Sequence, residues 1–272
     1  MTLSIVIITF NEAANIGRTL DSVAPLIKAV SGEVIIVDSD STDRTVEIAR
    51  AHGARVFVEP WKGYAAQKNS AIQKAGSDWV LSLDADEELS PELSDEILGV
   101  LQMSQPATPE SAGRQRTPEG YWIPRKNYFL GRWIKHGGFW PDRKLRLFRR
   151  GAAQFENRLV HEDVRLVQQD VRPAGTTGTL RQALIHHSYP TLSDYLDHMN
   201  RYSSLGAEMA AADRPGGFSL VNIVLRPLAT FSYNYFFRLG FLDGREGLLL
   251  QLYHASYVSW KYAKAWERGR PE

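Results

Sequence analysis

The chain has 272 residues, which is long enough to bury a sizeable core in one large α/β domain, with or without an elaborated tail. Its formal net charge is +1, so the overall charge gives no case for a nucleic-acid-binding protein. Cysteine is absent, which excludes disulfides, thiolate metal sites and a cysteine nucleophile. The N-terminus lacks the features of a signal peptide, and no run of about eighteen apolar residues occurs. We therefore expect a cytoplasmic protein, soluble or lying on a membrane surface.

Strand and helix patterns alternate through roughly the first hundred residues. Apolar, β-branched runs predict buried strands at 3–9, 33–38, 54–59 and 79–84. The segments that follow these runs predict four helices: one at 15–30, a second that ends at about residue 51, a third at 64–76 and a fourth at 91–103. This alternation predicts the α/β class, with an open, mostly parallel sheet.

Polar clusters follow three of these strands: "TFNE" from Thr9, "DSDSTD" from Asp38 and "DADEE" from Asp84. Ligands of open parallel sheets bind beyond the carboxyl ends of the strands. We therefore expect the three clusters to converge on one crevice.

Asp84 and Asp86 lie two residues apart, so on an extended strand end their side chains point the same way. An apolar strand that runs into such an acid cluster needs a positive charge near its end. Two carboxylates facing one way are half of a site for Mg²⁺ or Mn²⁺, which takes its other ligands from water and phosphate oxygens. We expect a metal that bridges a diphosphate, although the spacing alone is weak because a second Asp-x-Asp occurs at Asp38 and Asp40.

Other polar residues near the strand ends are candidates for binding a nucleotide. Asp38, or Asp40 in its place, could accept a hydrogen bond from a nucleobase imide or a ribose hydroxyl, with helix capping as the alternative. Lys68 either neutralises phosphate or is one more exposed lysine. His186 and His187 could contact phosphate or metal, but paired histidines near a strand end are more often structural.

A basic, aromatic stretch spans residues 121–150, with nine Lys and Arg, one acid and eight aromatic residues. Such a stretch can bind nucleic acid, but it suits equally a phosphorylated carbohydrate, with Arg clamping phosphate and Trp stacking on a sugar face. Since the overall charge is near zero and a nucleotide-type sheet lies upstream, we favour the carbohydrate. The expected contacts are Arg143, Arg146, Trp140 and, beyond the stretch, His161.

The segment "NRLVHEDV" at 157–164 supplies a candidate general base. A sugar hydroxyl that attacks an activated carbon needs a carboxylate within hydrogen-bond reach, and Glu162 or Asp163 could serve. A zinc protease would need a second His four residues after His161, which the chain lacks. The other alternative is a solvated turn.

Three segments in order, "SIVIITFNEAANIGRTLDSV", "EVIIVDSDSTDRTVEIA" and "AGSDWVLSLDADEEL", resemble the family 2 inverting glycosyltransferases with the GT-A fold. The match covers roughly residues 3–105. Later segments, "RLFRR", "VHEDV", "HHSYPTLSDYL" and "GFLDGREG", resemble a narrower group, the bacterial lipopolysaccharide inner-core β-glucosyltransferases. The resemblance implies a Rossmann-like GT-A sheet and the transfer of a hexose to a hydroxyl of a lipopolysaccharide-core-like acceptor, with UDP-glucose as the expected donor. The transfer would be a single in-line displacement of the nucleoside diphosphate.

The resemblance also implies roles for individual residues. The nucleotide pocket would be lined by Thr9, Asn11, Glu12 and Asp38. The metal and the nucleotide-sugar would be held by Asp84 and Asp86, and the general base would be Glu162, with Asp163 as its rival. Ser39 separates two Asp residues that are commonly adjacent in the family, so Asp38 and Asp40 both stay candidates for contacting the base.

We expect the nucleotide-sugar-binding and catalytic domain at 1–190 and a helical, aromatic-rich C-terminal extension at 191–272. The aromatic and basic residues of the extension suit acceptor contact, the headgroup level of a bilayer, or a dimer interface. A lipid-linked acceptor made at the inner face of the bacterial inner membrane would explain both this extension and the basic, aromatic stretch at 121–150. One alternative is a glycosyltransferase with a polyprenyl phosphate or another polysaccharide as its acceptor, and another is a non-catalytic binding protein. A nucleotidyltransferase lacks support because no glycine-rich phosphate loop follows the first strand.

Overall fold

The computed structural model describes residues 1–103, 118–156, 164–166, 176–213 and 218–270. These residues form two compact units. The first comprises Met1–Arg125 and Arg143–His186, and the second comprises Lys126–Asp142 and His187–Glu272. The division at residue 190 remains a sequence-based prediction.

Strands and helices alternate at the start of the first unit, as the sequence predicts. The elements are β1 (Leu3–Thr9), α1 (Ile16–Val30), β2 (Glu33–Asp38), α2 (Thr45–Ala51), β3 (Arg55–Val58), α3 (Tyr64–Gln73), β4 (Trp79–Asp84), β5 (Glu87–Glu88) and α4 (Pro91–Met103). The helix α1 ends because Ser31 adopts a left-handed conformation and the Gly32 N–H donates to the Ile27 carbonyl. Both predicted boundaries of this helix therefore hold to within a residue.

The later part of the chain adds further strands: β6 (Gly120–Phe129), β7 (Arg132–Trp133), β8 (Asp142–Arg149), β9 (Ala153–Phe155), β10 (Val164–Leu166), β11 (Thr177–Thr179) and β12 (Leu184–Tyr189). Among the described residues one sheet has the order β3-β2-β1-β4-β8-β6-β12-β5, and both β7 and β11 pair with β6. The strands β1 to β4 are parallel to one another, whereas β8 is antiparallel to β4 and β12 is antiparallel to β5. The boundary between the two units falls within three strands, β6, β8 and β12.

The core of the first unit lies on both faces of β1, as alternation along a strand requires. Ile5 and Ile7 pack into a cluster that includes Leu20 of α1 and Leu93 of α4. Val6, between them, packs into a second cluster on the other face. A strand buried on both faces explains why residues 5–8 of β1 form a continuous apolar run.

The second unit contains the helices α5 (Leu192–Asp213), α6 (Arg226–Ser232) and α7 (Gly244–Arg268). Two π-helical turns, Val221–Leu225 and Tyr233–Phe237, flank α6, and a 3₁₀ turn spans Gly240–Asp243. A cluster around Phe129, Tyr195 and Leu250 forms the core of this unit. The expected helical, aromatic-rich C-terminal region is therefore present. Within the described residues, every helix is too short or too polar to cross a bilayer.

Candidate active site

Three strands of the first unit end side by side. Thr9 of β1 is in register with Asp38 of β2, and Ile8 of β1 is in register with Asp84 of β4. The predicted convergence of the three polar clusters is confirmed, because the carboxyl ends of these parallel strands share one edge of the sheet.

Asp38 is fully buried and fixes the turn that follows β2. One of its oxygens accepts from the Thr9 hydroxyl at 2.7 Å and from the Ser41 hydroxyl at 2.6 Å. The other oxygen accepts from the Ser41 N–H at 2.8 Å. Asp40, by contrast, is exposed and has a φ of 60°, in the left-handed region that Asp enters more readily than most residues.

The loop after β1 is tied to the loop after β2. The Asn11 N–H donates to the Ser41 hydroxyl at 2.8 Å, and the Asn11 side-chain oxygen accepts from the Thr42 N–H at 2.9 Å. The Glu12 N–H donates to the Thr45 hydroxyl at 2.7 Å. Together with the bonds of Asp38, these bonds hold four of the predicted nucleotide-binding residues in two connected loops: Thr9, Asn11, Glu12 and Asp38.

The carboxyl group of Glu12 lies among other acids. Burial raises the pKa of Glu12, and the negative charges of Asp86, Asp43 and Asp84 raise it further, against a hydrogen bond from Asn15. Glu12 therefore belongs electrostatically to the same acid-rich edge as the Asp-x-Asp pair.

Asp84 is surrounded by three basic side chains. The Lys68 ammonium lies 2.8 Å from one carboxylate oxygen and the Arg146 guanidinium 2.5 Å from the other. Arg125 lies 3.8 Å away. Burial by itself raises the pKa of Asp84, but Arg146, Lys68 and Arg125 outweigh it and hold this pKa well below its usual range. Part of the positive charge that the acid cluster requires is thus supplied by the chain itself.

Glu87 contacts Asp84 and two of the same basic side chains. Its side chain is fully buried, and one oxygen accepts from the Asp84 backbone N–H at 2.9 Å. The other oxygen accepts from Arg146 at 2.8 Å and from Arg125 at 3.1 Å. Glu87 therefore fixes both the turn after β4 and the two guanidinium groups that face Asp84.

Asp86 has a different environment. Because β4 ends at Asp84, Asp86 lies in the turn before β5, so the extended geometry expected for the pair does not apply. One Asp86 oxygen lies 3.3 Å from the His186 Nε2. Burial raises the pKa of Asp86, but His186 and, at longer range, Arg125 outweigh it, so the pKa lies below its usual value. The turn is fixed by α1, since the Thr19 hydroxyl donates to the Ala85 carbonyl at 2.6 Å.

The donor set at this turn fits a hard divalent cation that is only partly held by protein. The described part of the chain contains no group of three or more His, Asp or Glu side chains arranged to hold a metal. Asp86 and His186 supply a carboxylate and an imidazole, while both oxygens of Asp84 face basic side chains. Mg²⁺ and Mn²⁺ accept a site with one or two protein ligands when water and phosphate oxygens complete it.

The other predicted site residues fall in several places. Lys68 of α3 is buried, and Arg146 of β8 is buried between Asp84 and Glu87, whereas Arg143 of the same strand is exposed. Trp140 lies in the second unit, with its ring centroid 5.3 Å from that of Trp133. The remaining predicted residues lie outside the described ranges: His161, Glu162 and Asp163.

Sequence reasoning left three residues of the edge unassigned or treated as structural: Glu87, Arg125 and His186. The acids of "DADEE" require a compensating positive charge, and the basic stretch at 121–150 is a segment that can supply it. Which of its nine basic residues turned inward could not be derived from the spacing, because that depends on how β6 and β8 pair.

Comparison with known proteins shows the family of the chain. The model of the family "Glycosyl transferase family 2" matches residues 4–160, more than half of the chain. The chain belongs to glycosyl transferase family 2. A glycosyltransferase of Rickettsia bellii is 34% identical over 91% of this chain and 80% of its own length. This family 2 chain is also 29% identical to the lipopolysaccharide core biosynthesis glycosyltransferase LpsC of Rhizobium meliloti, over 98% of this chain and 93% of that protein.

A solved structure supports the fold. The mannosyltransferase PcManGT of Pyrobaculum calidifontis, determined with GDP-Man and Mn²⁺, superposes with a TM-score of 0.54 at 16% identity. The superposition covers 97% of this chain and 86% of that one. The expected GT-A architecture, a mostly parallel open sheet with a C-terminal helical region, is confirmed for this family 2 glycosyltransferase.

Proposed function

We propose that the protein is a metal-dependent inverting glycosyltransferase that moves a hexose from a nucleotide-sugar, UDP-glucose in the first instance, to a hydroxyl of a lipopolysaccharide-core-like acceptor. The observation that carries the proposal is the Asp84–Asp86 turn, which lies at the shared edge of three parallel strands beside Lys68, Arg125 and Arg146. The choice of acceptor rests on the similarity to LpsC along nearly the whole chain.

The donor diphosphate would lie at the Asp84–Asp86 turn. A bound Mg²⁺ or Mn²⁺ would supply positive charge to the departing diphosphate. Asp86 and His186 would hold that ion, because their side chains face each other at 3.3 Å. Lys68, Arg125 and Arg146 keep Asp84 ionised and make the edge less negative, which lowers the repulsion that a diphosphate would meet there.

The nucleoside would be bound by the connected loops after β1 and β2, through Thr9, Asn11 and Glu12. Of the two acids proposed to contact the base or ribose, Asp40 is the better placed. Asp38 is fully buried and already accepts three hydrogen bonds, whereas Asp40 is exposed.

Transfer would be a single in-line displacement at the anomeric carbon, with inversion. We propose Glu162 as the base that takes the proton of the acceptor hydroxyl, with Asp163 as its rival. Arg143, Trp140 and His161 are proposed to bind the acceptor. Of the two arginines predicted for that role, Arg143 is the better candidate because the guanidinium of Arg146 is buried against Asp84 and Glu87.

The test is product analysis with UDP-glucose, Mn²⁺ and a truncated lipopolysaccharide core oligosaccharide. The proposal predicts a product heavier by one hexose, with an anomeric configuration opposite to that of the donor when measured by NMR. Glu162→Gln is expected to lower kcat by at least about a hundredfold, as is typical for loss of a general base. Asp163→Asn serves as the matched variant, because it removes the neighbouring acid.

Three results would contradict parts of this proposal. A product with retained configuration would exclude the single displacement. Transfer to a polyprenyl phosphate but not to the core oligosaccharide would replace the acceptor. A larger loss in Asp163→Asn than in Glu162→Gln would move the base to Asp163.

A further inference from the structure

The second unit exposes a concentrated set of apolar side chains. Among the described residues, nineteen large hydrophobic side chains are exposed, and fourteen of them lie within residues 218–252. Phe237 is the most exposed, at 78%. We call the exposed apolar side chains of residues 218–252 the apolar surface. Single exposed apolar residues are ordinary, but such a concentration marks an interaction site.

The apolar side chains of this surface recur with the spacing of helical turns, but they face outward and not toward the core. Val221, Leu225, Leu228 and Phe236 recur at intervals of one or two helical turns, and all four are exposed. A helix at the surface of a globular protein normally turns such a stripe toward the core. Here the opposite side is the packed one: Pro227 is buried.

The charges along the apolar surface are basic. Between residues 218 and 237 the single charged residue of the sequence is Arg226, and Arg238 and Arg245 follow. All three arginines are exposed. Aromatic rings beside arginines are the composition that suits the headgroup level of a bilayer.

The acids of the same segment are already paired. Asp243 is buried and accepts from the His136 backbone N–H at 2.8 Å, with its carboxylate 3.0 Å from the imidazole of the same residue. Glu246 lies 3.6 Å from Arg132. The segment therefore presents arginines outward while both of its carboxylates have basic partners.

We propose that the apolar surface docks on a phospholipid bilayer with anionic headgroups, the aromatic and aliphatic side chains entering the interface and Arg226, Arg238 and Arg245 binding lipid phosphates. A second copy of the chain is the less favourable occupant. A two-fold interface would place the same patch on both sides, and both carboxylates of that patch already have basic partners within their own chain, so neither is left to pair with the arginines of the other copy. Anionic headgroups supply the missing negative charge.

The proposal is tested by flotation of the full chain with lipid vesicles. One set of vesicles contains equimolar phosphatidylcholine and phosphatidylglycerol, and the other contains phosphatidylcholine alone. The wild type is expected to float with the anionic vesicles. Replacing Phe236 and Phe237 by Ser removes two exposed rings and is expected to weaken that binding by at least about tenfold. Arg245→Gln is expected to weaken binding to the anionic vesicles and to leave the result with the phosphatidylcholine vesicles unchanged.

The matched control is Trp61→Ser, which removes an aromatic side chain that is 50% exposed in the first unit. It is expected to bind vesicles like the wild type, and melting curves of all variants check that each one folds. Two results would overturn the proposal. The first is a wild-type chain that stays with the unbound fraction for both vesicle types. The second is a wild-type dimer, by analytical ultracentrifugation, that the Phe236 and Phe237 substitutions dissociate while vesicle binding is unchanged.

Discussion

At the residue scale, the buried guanidinium of Arg146 lies between two carboxylates, of which Asp84 is half-buried and Glu87 is fully buried. Asp84 contacts Lys68 and Arg146, and Glu87 accepts from Arg146 on its other side. Removing one partner of such a group leaves an uncompensated buried charge, which costs far more than a surface pair contributes. The network is therefore expected to be critical for stability as well as for placing Asp84.

Arg146→Met is expected to destabilise the protein by about 3–5 kcal/mol, because Asp84 and Glu87 lose a shared buried partner. Urea denaturation gives the free energy of unfolding. The matched control is Arg143→Met on the same strand, where the side chain is exposed and the expected change is within about 0.5 kcal/mol. Equal effects of the two substitutions would show that the network contributes little.

At the scale of the elements, the carboxylate of Glu59 links the end of β3 to α3 in the first unit. Glu59 follows β3, and its carboxylate contacts Lys74 at 2.5 Å, Lys62 at 2.9 Å and the Ser70 hydroxyl at 2.7 Å. Hydrogen bonds from Lys74, Lys62 and Ser70 lower the pKa of Glu59 from 4.5 to about 2. The stabilisation that this carboxylate provides is therefore fully present above about pH 4.5 and is lost as the pH falls toward 2.

Glu59→Gln is expected to lower the free energy of unfolding by about 1–2 kcal/mol at neutral pH, because charged hydrogen bonds are lost. The gap to the wild type should narrow as the pH falls from 4.5 toward 2, where Glu59 itself becomes protonated. Denaturation curves across this pH range measure it. In the control Glu47→Gln, which removes one partner of an exposed pair with Arg44, no measurable change is expected. A gap that stays constant with pH would contradict the assigned cause.

The elements differed in how well the sequence predicted them. The strands β1, β2 and β4 are buried on both faces, so each is mostly apolar and ends in a polar residue. The strands from β6 onward were not predicted, and β8 shows why. Arg146 is buried in it between Leu145 and Leu147, so a charged residue interrupts the apolar run at a core position. Only pairing with distant acids makes that burial possible.

At the scale of the whole molecule, the sequence predicted the candidate site only in part. The convergence of Thr9, Asp38 and Asp84 followed from local patterns, because parallel strands bring their carboxyl ends to one edge. The partner of Asp86 could not be derived in that way. His186 lies a hundred residues further along the chain, and the pairing of β12 with β5 brings it to the turn.

The central claim, a metal-dependent nucleotide site at the Asp84–Asp86 turn, is tested most directly by calorimetric titration of UDP into the full chain, with and without Mn²⁺. We predict binding that requires Mn²⁺ and is at least about tenfold weaker in Asp86→Asn, since Mn²⁺ takes few ligands from the protein and loses one. The control Asp95→Asn, at an exposed position of α4, should bind like the wild type. UDP binding that is the same with and without Mn²⁺, or the same in Asp86→Asn as in the wild type, would contradict the claim.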